Sequence, residues 1–290
     1  MLRPVTAGVD GSPESLAAAT WAADEARLRN VPLHLLHAWE WSPHPTVAVP
    51  ADTSQRDWAH QTLRAAVDHV RALHPDLTVI DRQVSQPAVT ALREASEQSA
   101  LLVLGTRGIS GFTGYLVGSV ALHVIARPEG PIVLVRAGHQ DAKGAGSAAS
   151  ASPREVVVGV DFDRPCDEIV AFAFEEARLR GADLHLIHAY SAPSLYAVGT
   201  GRPSGPELRA EREKTLVAVA RQLHEKYPDL TVTATASQGR PAPRLLRAAK
   251  EAELLVLGRR RRDSRFGHSG PVTHAALHHA PCPVAVVPYD

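Results

Sequence analysis

Short apolar runs alternate with longer amphipathic stretches along the first 137 residues of this 290-residue chain. The runs have the length of buried strands, and the stretches have the length of helices. They predict strands at Val5–Val9, Leu33–Ala38, Leu77–Val84, Leu101–Leu104 and Ile132–Val135, and helices at Pro13–Arg29, Thr53–Leu73, Ala88–Ser96 and Ser119–Arg127. Strands and helices that alternate in this way form a parallel sheet with helices on both faces. The pattern therefore predicts a doubly wound α/β domain with five strands.

The second half of the chain repeats the first. Residues 25–29 return at 176–180, residues 33–39 at 184–190, and residues 75–79 at 228–232. This repeat is far longer than the unit of a solenoid, so it indicates a duplicated domain. The stretch 138–153 between the copies is rich in Gly, Ala and Ser, which is typical of a flexible linker. We expect one domain at 1–137, a linker at 138–153 and a second domain at 154–290.

Composition limits the cellular compartment and the classes of partner that we expect. The formal net charge is zero, so no overall field draws the chain to nucleic acid or to an acidic membrane. The two cysteines, Cys166 and Cys282, fit a reducing compartment better than a disulfide framework. The N-terminus lacks the pattern of a secretory signal, and no apolar run approaches the ~20 residues that span a bilayer. We therefore expect a cytoplasmic protein without a membrane or nucleic-acid partner.

A spaced run of glycines follows the apolar run Leu101–Leu104. The glycines are Gly105, Gly108, Gly111, Gly114 and Gly118, after which Ser119 opens a helical pattern. A buried strand, a glycine-rich turn and a helix start together gather backbone N–H groups that hold phosphate. We expect Gly105 to end the strand and the segment 108–114 to turn with positive φ.

Lysine usage excludes one kind of phosphate site. No lysine precedes Lys143, so the first half cannot hold a Walker-type loop, whose lysine reaches the phosphates. Ligands of doubly wound sheets lie beyond the carboxyl ends of the strands. Asp10, Ala38 and Gly105 all follow or end predicted strands, and one crevice would collect all three.

Three segments at those strand ends resemble the nucleotide-binding class of the universal stress proteins. They are Asp10-Gly11-Ser12, His37-Ala38 and Gly105-x-x-Gly108-x(9)-Gly118-Ser119. The resemblance covers nearly the whole chain and is similar to the tandem members of that family. It implies two five-stranded, Rossmann-like domains of the adenine nucleotide alpha hydrolase type.

The resemblance also implies ATP as the ligand and a set of binding residues. Asp10 would contact the ribose or the adenine, and the backbone around Ala38 would meet the adenine. Asp10 is also a candidate for holding Mg²⁺ on the bound nucleotide. The implied set as a whole is Gly8, Asp10, Ala38, Leu104, Gly105, Arg107, Gly108, Gly118, Ser119 and Val120.

The second copy departs from this motif. Phe162-Asp163 replaces the Gly-Ser that follows Asp10, and arginines occupy 259–262, where the second glycine would fall. Gly270 matches Gly118, but Pro271 replaces Ser119, and the interval from Gly258 to Gly270 is one residue shorter. We expect this copy to bind nucleotide weakly or not at all. The alternative is that the arginines grip phosphate directly.

Other constellations point to no metal or redox site. His34 and His37 lie three apart on a predicted strand, where odd spacing sends side chains to opposite faces. His278-His279 with Cys282 lacks a nearby second cysteine for zinc. Acidic neighbours of Cys166 oppose its thiolate.

These patterns support three functions. The first is a nucleotide-dependent stress regulator that binds ATP in domain one and acts on a protein partner. The second is a slow ATP hydrolase or phosphotransferase in the same crevice, although no catalytic residue or metal ligand is identifiable. The third is an interaction module whose duplicated sheets only dimerise. The resemblance implies a homodimer paired through the edge strand Ile132–Val135, an edge that the tandem copy Val284–Val287 would also satisfy.

Overall fold

The computed structural model describes residues 3–40, 54–108, 115–138, 154–164, 166–190, 205–261 and 270–290. The chain divides into two compact units. Apart from Gly138, the predicted linker lies outside the described residues.

Within the described residues, the first unit contains six strands and four helices. Five of the strands form a parallel sheet in the order β3-β2-β1-β4-β6, and β5 pairs antiparallel with the end of β4. The elements are β1 (Val5–Gly8), α1 (Pro13–Arg29), β2 (Leu33–Trp39), α2 (Gln55–Leu73), β3 (Val79–Ser85), α3 (Ala88–Gln98), β4 (Leu101–Gly108), β5 (Tyr115–Leu116), α4 (Ser119–Ala126) and β6 (Ile132–Arg136).

The second unit repeats this architecture. Its five described strands are parallel, in the order β9-β8-β7-β10-β11. The elements are β7 (Glu155–Val160), α5 (Asp167–Arg180), β8 (Asp183–Tyr190), α6 (Gly205–Lys226), β9 (Val232–Gln238), α7 (Pro241–Ala248), β10 (Leu254–Arg260), α8 (Pro271–His279) and β11 (Val284–Tyr289). The prediction of two doubly wound, five-stranded parallel sheets is confirmed.

The central strands are apolar along almost their whole length because helices cover both faces of the sheet. In the first unit α1 and α2 contact each other, as do α3 and α4. The side chains of Leu33, Leu35, Leu101, Leu102 and Ile132 are fully buried between these layers. The core therefore lies against the same strands that lead to the carboxyl edge of the sheet.

The helix after the first strand begins at the predicted residue. Ser12 is its N-cap, with its hydroxyl accepting the N–H of Ser15, and Pro13 occupies the first turn, where a missing N–H costs nothing. Asn30 ends the helix in the left-handed conformation. These signals fix where α1 begins and hence what lies at the end of β1.

A buried ion pair anchors the end of this helix in both units. Arg29 Nε lies 2.6 Å from Glu25 Oε1, and the Glu25 side chain is only 1% exposed. Arg180 pairs with Glu176 in the same way, and the Glu176 side chain is 0% exposed. Removing one partner of a buried pair typically costs about 3–5 kcal/mol, because the other charge is left in the protein interior.

Several boundaries differ from the sequence prediction. β4 continues for four residues beyond Leu104, so Gly105 does not end the strand. Its end is extended by pairing with β5, which was not predicted. β3 begins at Val79 and α2 at Gln55, each two residues after the predicted start. No helix in the described ranges has the length and hydropathy needed to cross a bilayer.

Candidate functional site

A cavity of ≈ 400 Å³ lies at the carboxyl edge of the first sheet. The ends of β1 and β2, the middle of β4 and the start of α4 all contribute to it. Eight of the ten predicted binding residues line it: Gly8, Asp10, Ala38, Leu104, Gly105, Gly118, Ser119 and Val120. The topology thus collects in one place residues that lie more than 100 positions apart in sequence.

The start of α4 supplies hydrogen-bond donors to this cavity. Gly118 is its N-cap and has no side chain with which to cap the helix. The first N–H groups of a helix have no partner within it, and the helix dipole adds a partial positive charge at this end. Ser119, Val120 and Ala121 carry those N–H groups and line the cavity. This wall of the cavity is suited to an anion.

The loop between β1 and α1 forms an acidic wall of the same cavity. Asp10 Oδ1 accepts hydrogen bonds from the backbone N–H of Ser12 at 3.0 Å and from the Ser12 hydroxyl at 2.5 Å. Ser15 Oγ donates to the carbonyl of Ser12 and accepts the N–H of Asp10. Glu14 also lines the cavity. These bonds hold the loop rigid, and the two carboxylates disfavour an anion at this wall.

Gly105 permits close packing at the floor of the site. A Cβ at this position would lie 2.4 Å from the carbonyl oxygen of Glu14 and 2.8 Å from the N of Ser15. The first turn of α1 therefore lies directly against β4, which only a glycine allows. The role of Gly105 is to admit the helix backbone as much as to leave room for a ligand.

An apolar wall completes the cavity, and the sequence pattern did not predict most of it. Leu36 and Leu92 join Leu104 there, together with Val9 and Ala88. Ala88 and Leu92 are one helical turn apart at the start of α3, a spacing that the sequence does contain. Nothing in the sequence alone indicates that this face of α3 turns toward the crevice.

Two predicted residues, Arg107 and Gly108, are not among the described lining residues. They lie in the end of β4 and pair with Leu116 and Tyr115 of β5. Gly108 is therefore extended strand and not a turn residue, contrary to the prediction for the segment 108–114. Gly111 and Gly114 lie outside the described residues.

The universal stress protein family model matches residues 1–136 and 153–288. The chain belongs to the universal stress protein family. A universal stress protein of Mycobacterium tuberculosis is 31% identical to it over 296 residues, which cover 97% of this chain and 96% of the relative.

A solved structure of a relative agrees on the fold. A universal stress protein from Archaeoglobus fulgidus DSM 4304 covers 98% of this chain and of its own, with a TM-score of 0.73 and 18% identity. A further one, a universal stress protein in complex with cAMP, is 28% identical, covers 47% of this chain and 98% of its own, and has a TM-score of 0.37.

The second unit of this universal stress protein packs side chains against the counterpart of Gly105. A Cβ on Gly258, that counterpart, would lie 2.2 Å from Ile169 Cδ1 and 2.9 Å from Tyr289 Cε1. Asp161, the counterpart of Asp10, faces the guanidinium of Arg164 at 3.5 Å. The second unit thus places side chains where the first places the backbone of α1, and it pairs the counterpart of Asp10 with an arginine.

The start of α8 in the second unit also differs from that of α4. Gly270 is the N-cap, as the alignment with Gly118 predicts, and Pro271 takes the first turn. A proline there removes one of the free N–H groups. Arg259 and Arg260 belong to β10, while Arg262 lies outside the described residues.

No other described cluster forms a metal or reactive site. Among the described residues, no group of three or more His, Cys, Asp or Glu side chains is arranged to hold a metal ion. Burial, followed by the charges of Asp167 and Asp161, raises the pKa of the Cys166 thiol. The thiolate is therefore disfavoured at neutral pH.

Proposed function

We propose that the first unit binds one adenine nucleotide per chain, with ATP as the ligand, and that occupancy regulates a protein partner. The observation that carries this is the single cavity that gathers eight residues of the family's nucleotide motif beside the uncapped start of α4.

The charges of the walls orient the ligand in this proposal. The phosphates lie against the N–H groups of Ser119 and Val120, where the helix dipole favours negative charge. The adenine lies against the apolar wall of Leu36, Leu92 and Leu104. The ribose then lies between them, where the Asp10 carboxylate accepts its hydroxyl hydrogens.

The geometry of the cavity also supports regulation by the bound nucleotide. A nucleotide that contacts both the β1–α1 loop and the start of α4 stabilises one arrangement of these segments over others, and it shifts the population by its difference in affinity. The family resemblance further implies a cytoplasmic homodimer and a regulatory protein partner, and both belong to this proposal.

The test is the ligand content of the protein purified without added nucleotide, followed by calorimetric titration with ATP, ADP, AMP and cyclic AMP. We expect adenine nucleotide with a stoichiometry of one per chain. Absence of bound nucleotide together with no heat on titration overturns the proposal. A stoichiometry of two overturns the assignment of the site to the first unit alone and favours phosphate binding by the arginines of the second.

A second candidate uses the same cavity for slow ATP hydrolysis or phosphoryl transfer. It is favoured by the 2.5 Å hydrogen bond from the Ser12 hydroxyl to Asp10 Oδ1, since a carboxylate activates a hydroxyl for attack on phosphorus. Incubation with labelled ATP and Mg²⁺ separates the two. Turnover that is lost in Ser12→Ala while the nucleotide still binds favours this enzyme over the regulator.

A further inference from the structure

The buried imidazole of His37 lies beside the proposed site but not in it. His37 directly precedes Ala38 on β2, and neighbouring residues of a strand point to opposite faces. Ala38 lines the cavity, and His37 does not. The His37 residue is 4% exposed. It is therefore a core side chain with a polar ring, and its hydrogen bonds decide what it does there.

The ring of His37 has a defined orientation. Its Nδ1 lies 2.7 Å from the carbonyl oxygen of Val9, and a carbonyl only accepts, so Nδ1 carries the hydrogen and donates. Nε2 is buried and has no hydrogen-bond partner within the described ranges. Trp58 of α2 packs edge-on against the ring at 6.1 Å between centroids. The hydrogen bond to the Val9 carbonyl is thus the polar contact of this ring within the described ranges.

That bond lies at the point where the chain leaves the sheet. The register of β1 with β2 ends at Gly8 opposite Leu36, and the N–H of Val9 still donates to the carbonyl of Leu36 at 2.9 Å. The carbonyl of Val9 then accepts from the His37 side chain. Both polar groups of Val9 are therefore held by consecutive residues of β2.

The positions of the residues after Val9 depend on where the chain leaves β1. Val9 and Asp10 line the cavity, and Gly11 has a φ of 83°. A Cβ on Gly11 would lie 3.1 Å from Thr62 Cγ2 of α2. Gly11 lies beside α2, and Asp10 is bonded directly to the Val9 carbonyl, so a shift of that carbonyl moves Asp10.

We propose that His37 is a positioning residue for the nucleotide cavity, which fixes the Val9 carbonyl through Nδ1–H and thereby sets the place of Val9 and Asp10. The inference rests on the proposed function of the first unit. It adds that a residue outside the cavity controls affinity through one hydrogen bond.

The second unit contains the same arrangement without the proposed site. His188 Nδ1 lies 2.9 Å from the carbonyl of Val160, and the residue is 2% exposed. Its Nε2 is also buried without a partner in the described part of the chain. The Phe162 ring packs on it at 5.1 Å between centroids. His188 is therefore a matched control for the structural share of this hydrogen bond.

The experiment compares ATP affinity, by calorimetric titration of the full chain, for His37→Leu, His37→Asn and His188→Leu. Leucine keeps the bulk near Nδ1 but donates nothing. Asparagine places an amide N–H₂ at the same number of bonds from Cα as Nδ1 and so keeps the donor. His37→Gln, which moves the donor one bond outward, replaces His37→Leu if that variant does not fold. Thermal unfolding is recorded for each protein.

We expect His37→Leu to weaken ATP binding about tenfold, since it leaves the Val9 carbonyl unsatisfied in the interior. His37→Asn should bind within about threefold of the parent, since the donor remains. His188→Leu should lower the unfolding temperature by a similar amount and leave affinity unchanged. Equal affinity of His37→Leu and the parent overturns the inference, as does an equal loss in His188→Leu. A parent protein that binds no nucleotide overturns the proposed function instead.

Discussion

The two units share a sheet, a buried ion pair and a buried histidine, but they differ at the first turn of the helix that follows the first strand. α1 begins 12 residues before Glu25, whereas α5 begins nine residues before Glu176. In the first unit the backbone of that turn lies against Gly105. In the second, the side chain of Ile169 reaches Gly258. The two units thus differ at a helix start while the scaffold beneath it is the same.

The difference also changes the need for glycine at the two equivalent positions. Gly105 faces the backbone of Glu14, and Gly258 faces the ends of the Ile169 and Tyr289 side chains. A side-chain end moves aside at low cost, but a helix backbone cannot. The glycine therefore packs against a rigid neighbour in the first unit and against a movable one in the second.

The largest effect is expected from Gly105→Ala. The new Cβ would collide with the Glu14 carbonyl, so the first turn of α1 must shift, with an expected loss of about 3 kcal/mol and of ATP binding. Gly258→Ala is the matched control, with an expected loss of about 1 kcal/mol and unchanged ATP binding. Urea unfolding and calorimetric titration measure both. Equal losses in the two variants would remove the distinction between the units.

The next effect concerns the start of α4. Ser119→Pro copies the second unit, and its fold should survive, because proline is tolerated in the first turn and Gly118 has a ψ of 148° that suits the residue before a proline. The lost N–H and hydroxyl should weaken ATP binding by roughly tenfold to a hundredfold, measured by titration.

The reverse change tests whether that position alone decides binding. Pro271→Ser restores the hydroxyl and N–H in the second unit, but Ile169 and Tyr289 still fill the space beside Gly258. We expect the stoichiometry of ATP to stay at one per chain. A rise to two would mean that proline, and not packing, silences the second unit.

A smaller effect on stability is expected at the N-caps of α1 and α5. Ser12→Ala removes the hydroxyl that caps α1 and should cost about 1 kcal/mol in the free energy of unfolding. Cys166, the N-cap of α5, makes no side-chain cap hydrogen bond, so Cys166→Ala should cost less than about 0.5 kcal/mol. Urea unfolding curves of the two variants provide the comparison. A greater loss from Cys166→Ala would contradict it.

The smallest effect is a pH dependence. Partial burial, and then the charge of Arg82, lowers the pKa of His34 below its ordinary value of 6.5. The unfolded chain binds that proton more readily, so the stability linked to His34 is present above pH 6.5 and is lost as the pH falls through the folded pKa. His34→Gln should therefore reduce the drop in unfolding free energy between pH 8 and pH 5.

Urea unfolding of the parent and of His34→Gln at pH 8 and pH 5 measures this effect. An equal drop in unfolding free energy in the two proteins would contradict the prediction.

The sequence predicted the parts of this molecule that depend on local signals. Ser12-Pro13 located the start of α1, and the glycine-to-serine step located the start of α4. The apolar runs located the parallel strands. The end of β4 was wrong because Gly105 looked like a turn residue, whereas its contact with α1 is made by tertiary packing.

The remaining parts of the site depend on contacts between distant segments. The His37 side chain holds the Val9 carbonyl across 28 positions of the sequence. The approach of Leu92 to the cavity depends on how α3 packs against the sheet. Periodicity reports which face of an element is apolar, but it does not report which neighbour that face meets. Likewise, the arginines after Gly258 predicted that the second unit departs from the glycine motif. They did not predict that Ile169 packs against Gly258.

The bare start of α4 gives the proposed ligand a second role. Gly118 offers the helix no side-chain cap, so a phosphate bound there would serve as the N-cap that the sequence omits. The folded state would then be completed by a metabolite. At a free nucleotide concentration one hundred times Kd, this linkage would add about 2.7 kcal/mol to the stability of the first unit. The rate at which proteases degrade the protein would then depend on the concentration of free adenine nucleotide.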